Sequence, residues 1–190
     1  MLVVGSHEPR KNHLAVLHAA ELLWREGMEF TLTFIGGSGW GEEFPRRVAE
    51  LQGVGRPIQV RLAVSDEVLS RAYESAAFTV FPSLHEGFGL PVAESLSYGT
   101  PVITTGYGST AEIGGAGGCV LVDPRDDAAL TDAMRRLLGE PEVLRGLRAQ
   151  IAQRPVRGWS EYADELWDFL VVPELAALRA GGGEDGSFDD

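Results

Sequence analysis

The feature that most constrains the fold of this chain is a regular alternation of two kinds of segment. Short apolar, β-branched runs stand at residues 2–4, 30–35, 58–62, 78–81, 101–104 and 119–122. Stretches with helical periodicity lie between and after them, at about 12–25, 41–51, 66–75, 91–98 and 126–138. In the first of these, Leu14, Leu17, Ala20 and Trp24 recur at helical spacing and define one face to bury. The strand runs are almost continuously apolar, as expected when helices cover both faces of a sheet. The chain is therefore predicted to be α/β: a Rossmann-like, doubly wound parallel sheet of about six strands with helices on both faces. Ligands of such sheets sit at the carboxyl ends of the strands. Two more helices, at 140–153 and 160–172, follow with no strand between them. The expected organisation is a sheet domain over 1–155 and C-terminal helices over 156–180. Residues 181–190 form a glycine-rich acidic tail that is expected to be disordered.

Composition narrows the function. The 190 residues suffice for one domain with a sizeable core and are short for two. A formal net charge of −12 with no basic stripe argues against nucleic acid as a partner. Any bound phosphate must be held by a local arrangement, against an unfavourable overall field. The apolar stretch at 166–175 is interrupted by Asp168, Pro173 and Glu174, so no segment is expected to span a bilayer. Met1-Leu2-Val3-Val4-Gly5 lacks the basic start of a signal peptide. The single cysteine, Cys119, rules out a disulfide framework, suits a reducing cytoplasm and reads as a small core residue on a strand. Trp159, Tyr162, Leu166, Trp167, Phe169 and Leu170 give the terminal helix more apolar surface than one face needs, as if its packing partner were missing.

The chemistry concentrates in Glu86-Gly87-Phe88-Gly89-Leu90-Pro91-Val92-Ala93-Glu94, directly after the apolar run Phe78-Thr79-Val80-Phe81-Pro82. Strand, glycine-rich turn and helix is the geometry for holding a phosphate and the sugar beside it. Gly87 and Gly89 let the backbone approach a ligand or adopt positive φ. Pro91 suits the start of a helix, where its missing N–H costs nothing. Free amides at Phe88, Gly89 and Leu90 would point at the same spot as the positive end of the helix dipole, forming an anion site made of backbone. Glu94, expected in the first turn, leans back toward the ligand. A carboxylate there suits hydroxyls such as those of a ribose rather than a phosphate. Glu86 on the strand side could likewise take the hydroxyls of a hexose.

A second element, Glu8-Pro9-Arg10-Lys11-Asn12, follows the first strand. Asn12 is a candidate N-cap. Arg10 offers a planar fork and Lys11, the only lysine in the chain, a compact charge; together they suit a diphosphate. Gly36-Gly37-Ser38-Gly39 reads either as a turn or as a phosphate loop. Gly106-Tyr107-Gly108-Ser109-Thr110-Ala111-Glu112 either lines the same crevice or caps a short helix. His7, His13, His18 and His85 share no metal-ligand spacing; His85 could border the sugar, and the others read as surface or packing residues.

These residues resemble the group 1 (GT4) retaining glycosyltransferases of the GT-B fold, whose E-x7-E motif matches Glu86 to Glu94. Supporting stretches, in consistent order, are Val4-Gly5 through Asn12, Ser65-Asp66-Glu67, Phe81-Pro82-Ser83, Gly99-Thr100-Pro101-Val102-Ile103 and Leu121-Val122-Asp123-Pro124. The resemblance runs from about residue 3 to 170 and covers the C-terminal, donor-binding domain, one half of a GT-B fold. It implies an enzyme that transfers a hexose from a nucleotide-diphospho-sugar, a GDP- or UDP-sugar, to an acceptor in polysaccharide or glycoconjugate synthesis. The transfer would retain configuration and need neither metal nor cofactor. Arg10 and Lys11 would hold the diphosphate and stabilise it as leaving group. Glu86 would contact the donor sugar, the turn from Gly87 to Leu90 would offer amides, and Glu94 would bind the ribose. Some relatives carry arginine right after the first-strand glycine; here it is Ser6, which leaves the cationic work to Arg10 and Lys11.

The resemblance also implies that an N-terminal acceptor domain, to which the last helix would cross, stands outside this chain or in a separate subunit. The isolated chain is expected to be inactive in transfer and to self-associate as a homodimer through the terminal helix. The full enzyme is expected in the cytoplasm, peripheral at the inner face of the membrane. The alternatives are a non-catalytic nucleotide-binding module and one subunit of a split transferase.

Overall fold

The structure, a computed structural model, describes residues 1–155 and 159–173. In chain order the elements are β1 (Leu2–Val4), a 3-10 turn (Pro9–Lys11), α1 (His13–Arg25), β2 (Leu32–Ile35), α2 (Glu43–Gly53), β3 (Ile58–Arg61), α3 (Asp66–Ser75) and β4 (Thr79–Phe81). There follow α4 (Leu90–Ser97), β5 (Val102–Thr105), α5 (Gly108–Gly114), β6 (Cys119–Val122), α6 (Asp127–Gly139), α7 (Pro141–Ala152) and α8 (Trp159–Leu170). Six parallel strands form one sheet in the order β3-β2-β1-β4-β5-β6. The chain winds outward from β1 through β2 to β3, then returns to lay β4 against the other side of β1. The crossovers on the two sides of that β1–β4 line run in opposite directions, which opens a crevice at the carboxyl ends of β1 and β4.

Burial on two faces explains the apolar strands. Val3, Phe34, Val80 and Ile103 pack with α1, α2 and α6, through residues such as Leu17, Val48 and Met134. Their neighbours in sequence point the other way: Leu2 and Ile35 meet Tyr73 and Ala76 of the α3 side, and Phe81 and Val102 meet Val92 and Leu96 of α4. Cys119 lies on β6 as expected, and burial pushes its thiol up to about 11.

Several local expectations change. β2 begins at Leu32 rather than at residue 30, because the Phe30 ring stacks on Trp24 at 4.9 Å and its carbonyl accepts a hydrogen bond from the indole N–H. α4 begins one residue early, at Leu90, so Glu94 is its fifth residue and stands beyond the first turn. Asn12 precedes α1 but does not cap it with its side chain. Its backbone is left-handed (φ 58°), and its side-chain amide donates instead to the Pro124 carbonyl beyond β6, at 2.7 Å. Two of the glycines after β2, Gly36 and Gly39, serve close approach of backbone. A Cβ on Gly36 would stand 1.9 Å from the Gly5 carbonyl oxygen, and one on Gly39 1.9 Å from that of His7.

The chain divides into two compact units, Met1–Arg154 and Pro155–Asp190. The sheet and α1 to α7 make up the first. In the second, α8 carries Tyr162, Leu166, Trp167, Phe169 and Leu170 as exposed side chains. The expected tail at 181–190 lies outside the described residues. Among the described residues no helix is long and apolar enough to cross a membrane.

The Gly36 contact gives a direct test. Gly36→Ala should lower stability by about 3 kcal/mol through overpacking. Gly37→Ala, whose Cβ meets nothing within 4 Å, should stay within about 0.5 kcal/mol of the parent. Equal urea midpoints for the two variants would contradict the close approach.

Candidate functional site

The loops leaving β1 and β4 are stitched together at the crevice. The Leu84 N–H donates to the Arg10 carbonyl at 2.8 Å. Beside that bond, the Lys11 ammonium donates to Glu86 Oε1 at 2.7 Å, with both side chains about nine-tenths buried. It also lies 4.8 Å from the centre of the Phe81 ring, a cation–π contact. The Arg10 Nη1 donates to Glu86 Oε2 at 3.3 Å, and its Nε to Glu8 Oε2 at 2.7 Å. Ser6 contributes by bracing Glu8: its hydroxyl donates to Glu8 Oε1 at 2.6 Å. The hydrogen bonds from Ser6 and then Arg10 hold the Glu8 carboxyl below the usual carboxylate range. The two cations and one glutamate singled out in the sequence thus meet, and with Glu8 they make a cluster of two positive and two negative side chains. Capacity remains on every partner. An ammonium has three donors, a guanidinium five, and a carboxylate about four acceptor sites.

Beyond Glu86 the turn runs Gly87-Phe88-Gly89 into α4. Gly89 sits before the first helical residue with φ 95°, and a Cβ there would also meet the Thr110 methyl of α5 at 2.8 Å. Glycine is therefore required by the fold at Gly89. At Gly87 it is not, since φ is not positive and a Cβ would meet nothing within 4 Å. The N–H groups of Phe88, Gly89 and Leu90 donate to no carbonyl among the described residues. Phe88 and Leu90 are exposed. Glu94, half-buried one turn further on, accepts a hydrogen bond from the Tyr73 hydroxyl at 2.8 Å. Tyr73 gave no signal in the sequence, because an aromatic residue on an amphipathic helix reads as core.

The remaining segments form a rim. The region after β5 folds into α5, led by the exposed Tyr107. The Tyr107 hydroxyl donates to the Leu84 carbonyl at 3.2 Å and accepts from Arg125 Nη1 at 3.3 Å. A cavity of about 450 Å³ lined by Ile35, Gln59, Ala72 and Ala76 is separate from these groups.

Two of the four histidines meet behind the cationic loop. The Nδ1 atoms of His7 and His13 are 3.2 Å apart, and His7 stacks on Phe44 at 4.2 Å. Burial first, then the neighbouring His7 and Lys11, pull the His13 imidazole down to about 3; burial also lowers His7. Both rings are therefore neutral at pH 7, and one Nδ1 donates to the other.

A doubly wound α/β domain whose switch point gathers cations and free amides is the class these observations define. Residues 1–154 match the family model for glycosyl transferases group 1. The chain belongs to that family of enzymes and has the fold of its C-terminal, GT-B-type domain. It is 37% identical over 131 residues to the O-antigen chain mannosyltransferase B of Escherichia coli, covering 68% of this chain and 34% of that protein. It is 34% identical over 183 residues to the MMP alpha-(1->4)-mannosyltransferase of Mycolicibacterium hassiacum, covering 93% and 43%. The solved C-terminal domain of a group 1 glycosyl transferase from Francisella tularensis superposes with a TM-score of 0.64 at 24% identity, over 80% of each chain. The chain spans less than half the length of the curated relatives it matches.

Two predictions arise here. Removing one member of the buried Lys11–Glu86 pair leaves an uncompensated charge. Lys11→Met and Glu86→Gln should each cost about 3 kcal/mol, and the double variant clearly less than their sum. Additive losses in chemical unfolding would show that the pair is not coupled. For His13, the unfolded chain takes up a proton near pH 6.5 that the folded chain refuses until about pH 3. Stability should therefore fall as pH drops through that window. His13→Leu should remove up to about 1.4 kcal/mol per pH unit of that slope. Parallel stability curves for parent and variant between pH 6 and 4 would refute the assignment.

Proposed function

We propose that this chain is the donor-binding half of a retaining glycosyltransferase, taking a nucleotide-diphospho-hexose in the crevice between β1 and β4. In this reading Lys11 and Arg10 hold the diphosphate and stabilise it as it leaves. The amides of Phe88, Gly89 and Leu90 take phosphate oxygens, with Gly87 leaving room for the approach. Glu94 accepts from the ribose and Glu86 from the transferred sugar. The observation that carries the proposal is the convergence of Lys11 and Arg10 on Glu86 at the switch point. It sets two cationic side chains, each paired with a glutamate they can exchange for phosphate, beside unused backbone donors in a protein of net charge −12. Two side-chain cations there can stabilise a leaving diphosphate, and we propose that transfer proceeds without a metal on that basis. The relatives named as mannosyltransferases favour a mannosyl donor.

The acceptor side belongs, in this proposal, to a further domain or subunit. The relatives are more than twice as long as the stretch matched here, and α8 displays exposed aromatic residues suited to packing against such a part. That same partial coverage favours a second reading, a nucleotide-binding module or split-transferase subunit without turnover of its own.

Thermal protection tests the shared element. One of GDP, UDP and ADP at millimolar concentration should stabilise the chain, by about 2.7 kcal/mol at a hundred times its dissociation constant. Lys11→Ala should lose that protection. No shift with any of the three would sink both readings. Sugar transfer measured with and without an added N-terminal domain then separates them: turnover appearing only with the added domain supports the transferase half.

A further inference from the structure

Resting on the donor-site reading above, we infer that Tyr73 is a positioning residue that aims Glu94 at the ribose, because its buried hydroxyl holds one carboxylate oxygen and leaves the other for the sugar. The hydroxyl donates to Glu94 Oε2 at 2.8 Å. Among the described residues Oε1 accepts no hydrogen bond. A carboxylate with one oxygen fixed is held in one rotamer, and its free oxygen can meet a ribose hydroxyl without first freezing three torsions.

Tyr73 is itself held at three points. Its ring, 1% exposed, stacks on Tyr98 at 5.4 Å with 8° between the planes. Its carbonyl accepts from the Thr100 hydroxyl at 2.8 Å. The face of α3 that carries it is tied to α4 a second time, through Ser70 Oγ and the Tyr98 hydroxyl at 2.7 Å. Glu94 on α4 and Tyr98, the residue that caps its end, stand four residues apart, so both meet the tyrosine from the same side. Burial, and then the bond to Glu94, raise the phenol well above its ordinary value. The proton thus stays on Tyr73, and toward Glu94 the hydroxyl can only donate. A purely packing role would need the ring and not the oxygen. The oxygen is aimed at the carboxylate to which the donor-site reading gives the ribose.

The test is ribose discrimination by the full chain. Calorimetry compares whichever of GDP, UDP and ADP binds the parent with its 2′,3′-dideoxy counterpart, in the parent, Tyr73→Phe, Glu94→Ala and the double variant. Phenylalanine keeps the stack on Tyr98. Tyr73→Phe should cut the preference for the ribonucleotide about three- to tenfold, the size expected for weakening a hydrogen bond to a charged group. The affinity for the dideoxy compound should stay unchanged. In the Glu94→Ala background the tyrosine substitution should have no further effect. A parent that binds nucleotide, with a Tyr73→Phe variant that keeps the full preference, overturns the inference and leaves the donor site standing. A parent that binds none of the three overturns the donor site and the inference with it.

Discussion

The requirement that a parallel sheet be covered on both faces underlies the rest of this structure. A strand with apolar residues on both sides cannot face water on either, so each connection must cross over as a helix and cover one face or the other. With six strands, α1, α2 and α6 cover one face and α3 and α4 the other. The winding reverses at β1, and the reversal leaves a gap between departing loops that none of α1 to α7 fills. The polar groups of the site collect in that gap because the sheet beneath it is already sealed. Most of the other polar side chains drawn inward are hydroxyls, such as Thr79, Ser95, Thr104 and Thr105, and these are hydrogen-bonded.

Within the gap, the functional groups are held by contacts both local and remote in sequence. Lys11 follows β1, yet its counter-ion comes from the loop after β4. Arg10 is oriented by Glu8, which Ser6 holds in place. Glu94 is steadied from α3, and Asn12 tethers its loop to the segment after β6. His7, which precedes the cationic loop, stacks on Phe44 and is neutral, so it adds no charge to compete with Lys11 for Glu86. This is how an acidic protein keeps two cations in place at one point: by local pairing and not by bulk charge.

The sheet could be read from the chain because burial on two faces leaves a mark on every strand. The E-x7-E segment could be read because a turn, a proline and two glutamates sit within nine residues. What could not be read depends on distance in sequence. Asn12 looked like a helix cap, since asparagine before a helix usually is one. Only the approach of Pro124 makes its side chain turn away from α1. In Gly36-Gly37-Ser38-Gly39 the need for glycine at Gly36 and Gly39 comes from the Gly5 and His7 carbonyls, which only the adjacency of β1 and β2 brings near. Tyr73 had no local signature, because its partner is 21 residues away on another helix. The helix starts moved by a residue where Pro91 lies second, and not first, in α4.

The ion pair at the switch point has a consequence for selectivity. Glu86 is an anion permanently tethered beside the two cations, so its effective concentration there is of the millimolar order or higher. Small anions entering the crevice compete with a resident rival that never diffuses away. A single phosphate, with one point of attachment, gains little over that rival. A ligand that engages the cations, the turn amides and Glu94 at once brings several attachments to the contest. It can offer Glu86 new hydroxyl donors in exchange for those it gives up. On the proposed donor-site reading, the tethered glutamate would filter by valency, admitting guests that hold the site at several points.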